Sequence, residues 1–398
     1  MKFFSFLALA LFIVSQANAQ CLSGDPKDCP NAIITAVPFL RIVPDARSAA
    51  MGDAGIAISA DPNAMHFNAS KLAFIESDHG LAASYSPWLR SLGLQDVYLA
   101  YLSGFKRIGD NQTLGASLRY FSLGDLQFTD INGNSLGQGK PNEFEVSFAY
   151  ARKLSEYFSA GLTGKFIYSN LAGGQQIDNI DIVPATAGAV DITFTYQKPI
   201  NIAQKSMLRI GAAITNIGSK ISYTKSEFKD FMPGNLGIGA ALDMNFDDYN
   251  QLSFTMDINK LLVPTPISPD DTINYDANHN NYPDFREKPL FEGIIESFSD
   301  APGGFSEEMR EISFSWGAEY WYNKQFAFRA GYYYEHPTKG NRQFLTAGLG
   351  LRYNVFGLNV SYLVPTSNQR SPLDNTLRFT VIFNFDKPVG DKASSTNG

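Results

Sequence analysis

Apolar and polar residues alternate along about a dozen segments of this 398-residue sequence. In the last of these segments, Leu377, Phe379 and Phe383 share one face, whereas Arg378 and Thr380 share the other. A period of two residues is that of a β-strand. So many strands with large aromatic residues on one face would be hard to bury against one another in a soluble sandwich. A closed barrel with its apolar face toward lipid removes this difficulty, because closure leaves no unpaired backbone group in the hydrocarbon.

The alternation predicts an all-β fold, a 14-stranded antiparallel transmembrane β-barrel whose last strand closes against its first. An even number of strands is expected of single-chain bacterial barrels. The predicted strands are 80–86, 95–104, 113–122, 143–153, 157–169, 186–198, 207–217, 235–246, 250–260, 311–322, 326–335, 344–354, 357–364 and 375–385.

The predicted connections alternate in length. Short turns are expected at 154–156, 247–249, 323–325 and 355–356, and long loops at 123–142, 170–185, 218–234 and 261–310. In outer-membrane barrels the short turns face the periplasm and the longer loops face outward. The sequence therefore predicts an outer-membrane protein with extracellular loops, since a soluble sandwich or propeller gives no reason for such alternation.

The two faces of the predicted strands differ in chemical character. The face expected to contact lipid carries Phe144, Val146, Phe148, Tyr150, Phe194, Tyr196, Phe254, Phe314, Trp316, Tyr320, Phe328, Tyr332 and Tyr334. The face expected to line the lumen carries Arg119, Lys165, Asp191, Arg209, Asp243, Asp257, Glu319, Arg329, Arg352 and Arg378. Charges of both signs predict paired networks that hold a plug more than a selective pore. Small residues on the inward face, Gly237, Gly239, Gly348 and Gly350, make room for something inside the barrel.

The segment before the first strand, 31–77, has poor periodicity and is rich in alanine and glycine. It has too few large apolar residues to build its own core, so we expect an N-terminal plug or arm in or under the barrel. The extreme N-terminus has the features of a secretory signal, with Lys2 before an apolar run and a small-x-small cleavage site at Ala17 to Ala19. The predicted organisation is a signal peptide 1–19, an arm and plug 20–78, a barrel 79–386 and a polar tail 387–398.

Charge and cysteine content add two expectations. The formal net charge of −7 argues against nucleic acid as a partner. The low share of charged residues, 18% against roughly 25% in an ordinary soluble domain, agrees with outer-membrane lipid as the surroundings. The only cysteines, Cys21 and Cys29, precede the barrel. An oxidising compartment allows a small disulfide loop between them, with free thiols as the alternative.

The sequence gives little indication of an enzyme. Its four histidines, His66, His79, His279 and His336, are scattered along the chain. It contains no Gly-x-Ser-x-Gly nucleophile elbow, no His-Glu-x-x-His zinc motif and no Cys-x-x-Cys motif. We therefore expect no catalytic residues and no required cofactor.

One stretch of the longest loop has the spacing of a calcium-binding loop. Asp, Asn and Glu side chains fall at positions 1, 3, 5, 9 and 12 of a twelve-residue segment, and position 7 would supply its backbone carbonyl, which is the pattern that Ca²⁺ takes in such loops. The six residues are Asp276, Asn278, Asn280, Tyr282, Asp284 and Glu287. Position 6 is Asn281 instead of glycine, and no flanking helices are expected, so this is not an EF-hand fold. The sequence predicts a structural Ca²⁺ site, and a solvated Asn/Asp-rich loop is the alternative.

Two stretches near the N-terminus are familiar. Residues 44–57, PDARSAAMGDAGIA, and 61–74, DPNAMHFNASKLAF, resemble the N-terminal segment of the PorV family. These are outer-membrane proteins of the Bacteroidetes type IX secretion system, within a wider group of FadL-like transporters of hydrophobic compounds. The plug of FadL-like transporters carries Asn-Pro-Ala, whereas the matching positions here are Asn68, Ala69 and Ser70. The missing proline favours a member that does not transport lipids.

The resemblance implies a non-enzymatic cargo receptor. Such a protein binds the C-terminal signal domain of a secreted cargo at the translocon channel protein and carries it to a PorU-like sortase attachment complex. Aromatic residues of the longest loop are candidate cargo contacts, namely Tyr275, Tyr282, Phe285, Phe291, Phe298 and Phe305. They could instead fold the loop onto the barrel rim. The alternative function is a FadL-like outer-membrane transporter of hydrophobic compounds.

Overall fold

A computed structural model describes residues 30–385, except 91–93, 95, 130–134, 173–175, 178–179, 203, 225–228, 269–274, 281 and 368–375. Fourteen long strands form a closed barrel, with each strand antiparallel to its neighbours. The predicted signal peptide 1–19, both cysteines, Cys21 and Cys29, and the tail 387–398 lie outside the described residues.

The eighteen strands of the described residues follow the chain with the bounds given next. They are β1 (His79–Pro87), β2 (Val97–Ile108), β3 (Gln112–Leu123), β4 (Leu126–Thr129), β5 (Ser135–Gly139), β6 (Asn142–Lys153), β7 (Phe158–Asn170), β8 (Gln176–Ile177), β9 (Ile180–Asp181), β10 (Ala185–Ile200), β11 (Gln204–Gly218), β12 (Asn235–Asn245), β13 (Asn250–Leu261), β14 (Ser313–Tyr322), β15 (Phe326–Tyr334), β16 (Gln343–Tyr353), β17 (Phe356–Pro365) and β18 (Leu377–Phe385). β4 pairs with β5, and β8 with β9, in small two-stranded antiparallel sheets in the loops, which the sequence did not predict. The other fourteen build the barrel, and each predicted strand overlaps one of them.

Closure occurs between β1 and β18, as predicted. Leu81 pairs with Phe383 and Ser84 pairs with Thr380 in an unbroken antiparallel register. The hydroxyl groups of Ser84 and Thr380 lie 2.8 Å apart on the inner face. Every barrel strand therefore has a neighbour on both sides, which satisfies the backbone where water is absent.

The predicted division of faces is confirmed. Large apolar side chains point outward around the wall, for example Phe148 at 67% and Phe328 at 56% exposure, whereas Arg119 and Arg378 are each 1% exposed inside. An apolar outer wall with a polar interior is the arrangement of transmembrane barrels. None of the helices in the described part of the chain is long and apolar enough to cross a membrane.

The connections alternate in length around the barrel, which confirms the predicted pattern. At one end lie short turns such as 323–325, where Asn323 and Lys324 adopt left-handed φ of 51° and 53°. Two consecutive residues with positive φ are typical of the turns that match strand twist. At the opposite end lie the longer connections, including 262–312. We call these the turn end and the loop end.

The N-terminal segment runs through the lumen from the loop end to the turn end and is a plug. Asn31 N donates to Thr338 O at the loop end (2.7 Å), and Asp78 N donates to Phe385 O at the turn end (2.9 Å). In between lie two 3₁₀ turns and two short helices: Pro38–Arg41, α1 (Ala46–Ala49), α2 (Ala64–Phe67) and Ala69–Phe74.

Glycines bring the plug backbone against the barrel wall. Gly52 has a φ of 67°, and a Cβ there would lie 2.5 Å from Tyr332 O. Across the gap, a Cβ at Gly331 of β15 would collide with Met51 and Gly52 backbone atoms. Three of the four inward glycines predicted from sequence serve the same purpose, since Gly348 faces Ala50 while Gly237 and Gly239 face Ile56. The fourth, Gly350, faces the Arg329 guanidinium instead.

The connection 262–312 contains three short helices that the sequence did not predict. They are α3 (Asp284–Glu287), α4 (Leu290–Glu296) and α5 (Phe305–Arg310). Each helix has only one or two turns. So short a segment contains too few repeats of the 3.6-residue period to be distinguished from the surrounding polar loop.

Candidate functional site: a plugged lumen beneath a folded loop

Arg47 of α1 joins the plug to the barrel wall. The helix begins at Asp45, whose carboxylate accepts a hydrogen bond from Ser48 N at 2.8 Å, a standard N-cap. This places the Arg47 guanidinium against Glu319 of β14, with contacts of 2.7 and 3.0 Å to the two carboxylate oxygens. Arg47 also contacts Asp61 at 3.1 Å within the plug. The bidentate contact with Glu319 fixes both the position and the orientation of the Arg47 guanidinium.

A second set of contacts holds the plug backbone. Asp257 of β13 accepts hydrogen bonds from Gly55 N and Ile56 N at 2.7 and 2.8 Å. Thr380 Oγ1 accepts from Ala46 N at 2.8 Å. Lys71 Nζ donates to Gly55 O within the plug, and burial lowers the pKa of Lys71 to about 8. Wall side chains therefore supply partners that a segment without regular structure lacks.

A third cluster joins two parts of the plug and is centred on Arg119 of β3. Its guanidinium donates to Leu40 O at 2.9 Å and lies 2.5 Å from His66 Nδ1. Burial and the positive charges of Arg119 and Lys165 lower the pKa of His66 well below its usual value. His66 is thus a neutral acceptor on α2. Lys165 itself pairs with Asp191 at 2.7 Å.

These contacts divide the interior into separate spaces. A cavity of about 120 Å³ lies in mid-lumen and is lined by charged groups that include Asp53, Lys165 and Asp257. A cavity of about 280 Å³ toward the loop end has apolar walls from Phe39, Trp88 and other residues. A third, of about 490 Å³, opens at the turn end, and none of its lining residues lines the other two. The plug therefore separates the two ends of the lumen within the described residues.

At the loop end, buried ion pairs hold the connection 262–312 onto the rim. Glu311 accepts from Lys339 at 3.0 Å and from Lys260 at 2.6 Å, and the Glu311 side chain is fully buried. Lys260 also contacts Glu308 of α5 at 2.9 Å. Asn31 of the plug donates to Glu307 at 3.0 Å. The loop and the start of the plug thus form one folded platform.

The six candidate cargo-binding aromatics divide into two groups. Phe291, Phe298 and Phe305 are 72%, 49% and 78% exposed. The other three form contacts at the rim: Tyr282 OH donates to Asp230 of the neighbouring connection 219–234 at 3.3 Å, and the Phe285 ring lies edge-on to Tyr275 within the loop. For these three the interpretation that they fold the loop is the one the contacts support.

Two exposed residues were missed by the sequence analysis. Ile295 of α4 is 72% exposed and Met309 of α5 is 46% exposed. Each lies four residues after an exposed phenylalanine, Phe291 or Phe305, so the pairs share a helix face. That i, i+4 spacing was the signal available. We call Phe291, Ile295, Phe298, Phe305 and Met309 the apolar loop surface.

The predicted calcium ligands lie in one compact segment bonded to itself. Asn280 N contacts the side chains of Asp276 and Asn278 at 3.0 and 3.1 Å, and the amides of Asn278 and Asn280 donate to Glu287. Asp284, on α3, accepts from Ala277 N at 3.0 Å. Among the described residues, no three His, Cys, Asp or Glu side chains are grouped so as to hold a metal ion. The Ca²⁺ site stays a prediction.

A plugged fourteen-strand barrel with an apolar outer wall defines the class of outer-membrane barrel proteins. A family model described as Type IX secretion system protein PorV matches residues 25–268. The match covers more than half of the chain, which therefore belongs to the PorV family.

Comparison with solved structures confirms a FadL-like barrel. The Pseudomonas putida toluene transporter TodX is 11% identical with a TM-score of 0.50, over 86% of this chain and 99% of that one. The Ralstonia pickettii toluene transporter TbuX is 14% identical (TM-score 0.49, 86% and 98% covered), and a Pseudomonas aeruginosa FadL homologue is 12% identical (TM-score 0.44, 90% and 100% covered). No curated protein matches significantly. At such identities the likeness concerns the fold alone.

Proposed function

We propose that this protein is the outer-membrane cargo receptor of a type IX secretion system. In this role it binds the C-terminal signal domain of a secreted protein at the translocon channel and carries it to a PorU-like sortase attachment complex. The long loops face the cell exterior and the short turns face the periplasm, as in other outer-membrane barrels. Membership of the PorV family supports the secretion system.

One combination of features carries the proposal: the lumen is plugged while an apolar surface is exposed at the loop end. Glu319 and Asp257 bind the plug through short polar contacts, so the described part of the chain leaves a substrate no open path through the barrel. Exposed apolar groups on a folded platform are typical of protein-binding sites. The apolar loop surface is held by the buried Glu311 network, which lowers the entropy lost on binding.

The test replaces Phe291 and Phe305 by serine together in the only copy of the gene. We expect secreted proteins that bear the C-terminal signal domain to accumulate in the periplasm, because two exposed anchors are lost from the interface. The matched control is Phe246→Ser, since Phe246 is 51% exposed but lies in a turn at the opposite end. Normal secretion by the double variant, with the barrel inserted at wild-type level, would contradict the proposed surface.

Transport of hydrophobic compounds remains the second candidate. The observation that favours it is the cavity of about 280 Å³, whose walls include Phe39, Trp88 and Phe121. The cavity ends at Arg378 and Asp53, which form an ion pair at 3.4 Å, so a hydrophobic solute meets charge there. Native mass spectrometry of the protein extracted from its own membrane tests this candidate. Retained apolar molecules that Trp88→Ala releases would support transport, and a ligand-free barrel would count against it.

A further inference from the structure

A cavity of about 490 Å³ at the turn end has arginines in its lining. It opens beside the β16–β17 turn, where Asn354, Val355 and Phe356 form part of its rim. Its volume is within the roughly 300–1,000 Å³ that small-ligand sites occupy. The proposed function does not use this cavity, because the apolar loop surface lies at the other end of the barrel.

Three arginines line this cavity, and they lie beside two carboxylates: Asp61 in the lining, and Glu319, which is bonded to two of the arginines. Arg47 and Arg329 share Glu319, with contacts of 2.7 and 2.6 Å, and Arg47 also pairs with Asp61 at 3.1 Å. The third cation, Arg352, is exposed, and no carboxylate of the described residues forms an ion pair with it. Arg352 is therefore the cation of this lining that has no ion-pair partner among the described residues.

The Arg329 guanidinium is incompletely bonded. Its side chain is fully buried, with Nε on Glu319 and Nη1 on Asn359 at 3.0 Å. Nη2 has no hydrogen-bond partner among the described residues, and neither has Oδ1 of Asn384, which lines the same cavity. A buried charged donor without a partner is unusual, because such groups are almost always satisfied. Arg329 lines the cavity, and an anion that reaches Nη2, an atom closed to solvent in this structure, would supply the missing acceptor.

The arginines are also fixed in place before any ligand arrives. The guanidinium groups of Arg329 and Arg352 lie 5.4 and 4.8 Å from the centroid of the Trp321 ring. Cation–π contact of this kind restricts a long side chain and leaves its edge free for a planar anion. Carboxylates match the planar donor fork of arginine.

We propose that the turn-end cavity is a binding site for carboxylate ligands, with Arg352 and the free Nη2 of Arg329 as its donors. Two sources present this chemistry: an acidic segment of a protein on the turn side, and a free dicarboxylate. The proposal is independent of cargo binding, since it concerns the opposite end of the barrel.

The test uses the full chain in nanodiscs of phosphatidylcholine, which brings no net anionic lipid. The probe is a fluorescein-labelled pentaglutamate peptide, followed by anisotropy. We expect saturable binding that weakens by at least about tenfold in Arg352→Gln, the loss expected for one charge-assisted hydrogen bond. Asn359→Asp keeps the side-chain size and adds a competing carboxylate beside Arg329, so it should weaken binding similarly. Lys198→Gln, an exposed cation at the same end on β10, should leave binding unchanged.

Competition identifies the source of the ligand. Displacement of the probe by glutarate at equal carboxylate concentration points to a free dicarboxylate, and displacement by unlabelled pentaglutamate alone points to an acidic peptide segment. Either result supports the site. Equal affinity for pentaglutamine, or wild-type affinity in both Arg352→Gln and Asn359→Asp, would overturn it.

Discussion

Arg47 lies in the plug, yet its strongest partner, Glu319, is 272 residues away in β14. Both side chains are more than nine-tenths buried, and so is Arg329 on the same carboxylate. Taking such charges out of water is costly, and their mutual attraction offsets the cost only where geometry is good. The cluster is therefore better understood as a device that fixes the path of the plug than as a large source of stability.

Lys71 provides a pH-dependent test of the buried plug. Burial lowers the pKa of Lys71 to about 8 in the folded protein, below the 10.5 of an ordinary lysine. Below about pH 8 the Lys71 side chain is protonated in both the folded and the unfolded state. Between pH 8 and 10.5 only the unfolded state binds the proton, so the free energy of unfolding should rise with pH, by up to about 3 kcal/mol.

The measurement is urea unfolding of the detergent-solubilised chain at pH 7.5 and pH 10. Lys71→Met should remove the rise between the two pH values, because the titrating group is gone. Lys198→Met, an exposed lysine, is the control and should keep it. A rise that survives in Lys71→Met would mean that another group is responsible.

At the scale of elements, contact between the plug and β14 to β16 depends on glycines. Gly331→Val would place a branched side chain where the backbone of Met51 and Gly52 now lies. Overpacking of this kind typically costs about 1–3 kcal/mol. We expect the plug to leave its position, with faster amide exchange in 46–57 and ion conductance in planar bilayers.

Gly164→Val is the matched control for that experiment. Gly164 also lies in a barrel strand, β7, but a Cβ there meets nothing within 4 Å. Its exchange and conductance should equal those of the wild type. A sealed barrel in Gly331→Val would show that the wall yields more easily than the plug.

The loop segment 275–287 is the second element with a test. The sequence predicts Ca²⁺ binding there, with an affinity of about 0.1–1 mM if it resembles extracellular modules. Calorimetric titration of the EDTA-treated chain should give a single site, and Ca²⁺ should raise the midpoint of thermal unfolding. Glu287→Gln should abolish both effects, and absence of heat at millimolar Ca²⁺ in the wild type would leave a solvated loop.

The barrel strands could be predicted from sequence because their signal is local. The alternation from Leu377 to Phe385 predicts which side of β18 faces lipid. The structure agrees, with Phe379 outside and Arg378 inside. The route of the plug could not be predicted in this way. Its position depends on pairs such as Asp257 with Gly55, 202 residues apart, and no local pattern indicates which wall residue meets which part of the plug. Two members of the apolar loop surface, Ile295 and Met309, could have been predicted from sequence. Each follows an exposed phenylalanine by four residues on a short helix, and this local spacing was not used.

At the scale of the whole molecule, the outer wall and the plug together define where water is excluded. Phe148 lies near the middle of β6 and is 67% exposed to the outside, so it should lie deep in the hydrocarbon. A lysine near the bilayer centre of a barrel costs about 2–4 kcal/mol, falling to about 0–1 near the interface. Phe148→Lys should therefore destabilise the barrel in lipid by the larger amount and Phe246→Lys, in a turn, by the smaller. Urea unfolding in phospholipid vesicles, followed by tryptophan fluorescence, measures the free energy of unfolding of both variants. An equal loss of stability in the two variants would mean that the aromatic wall does not face acyl chains.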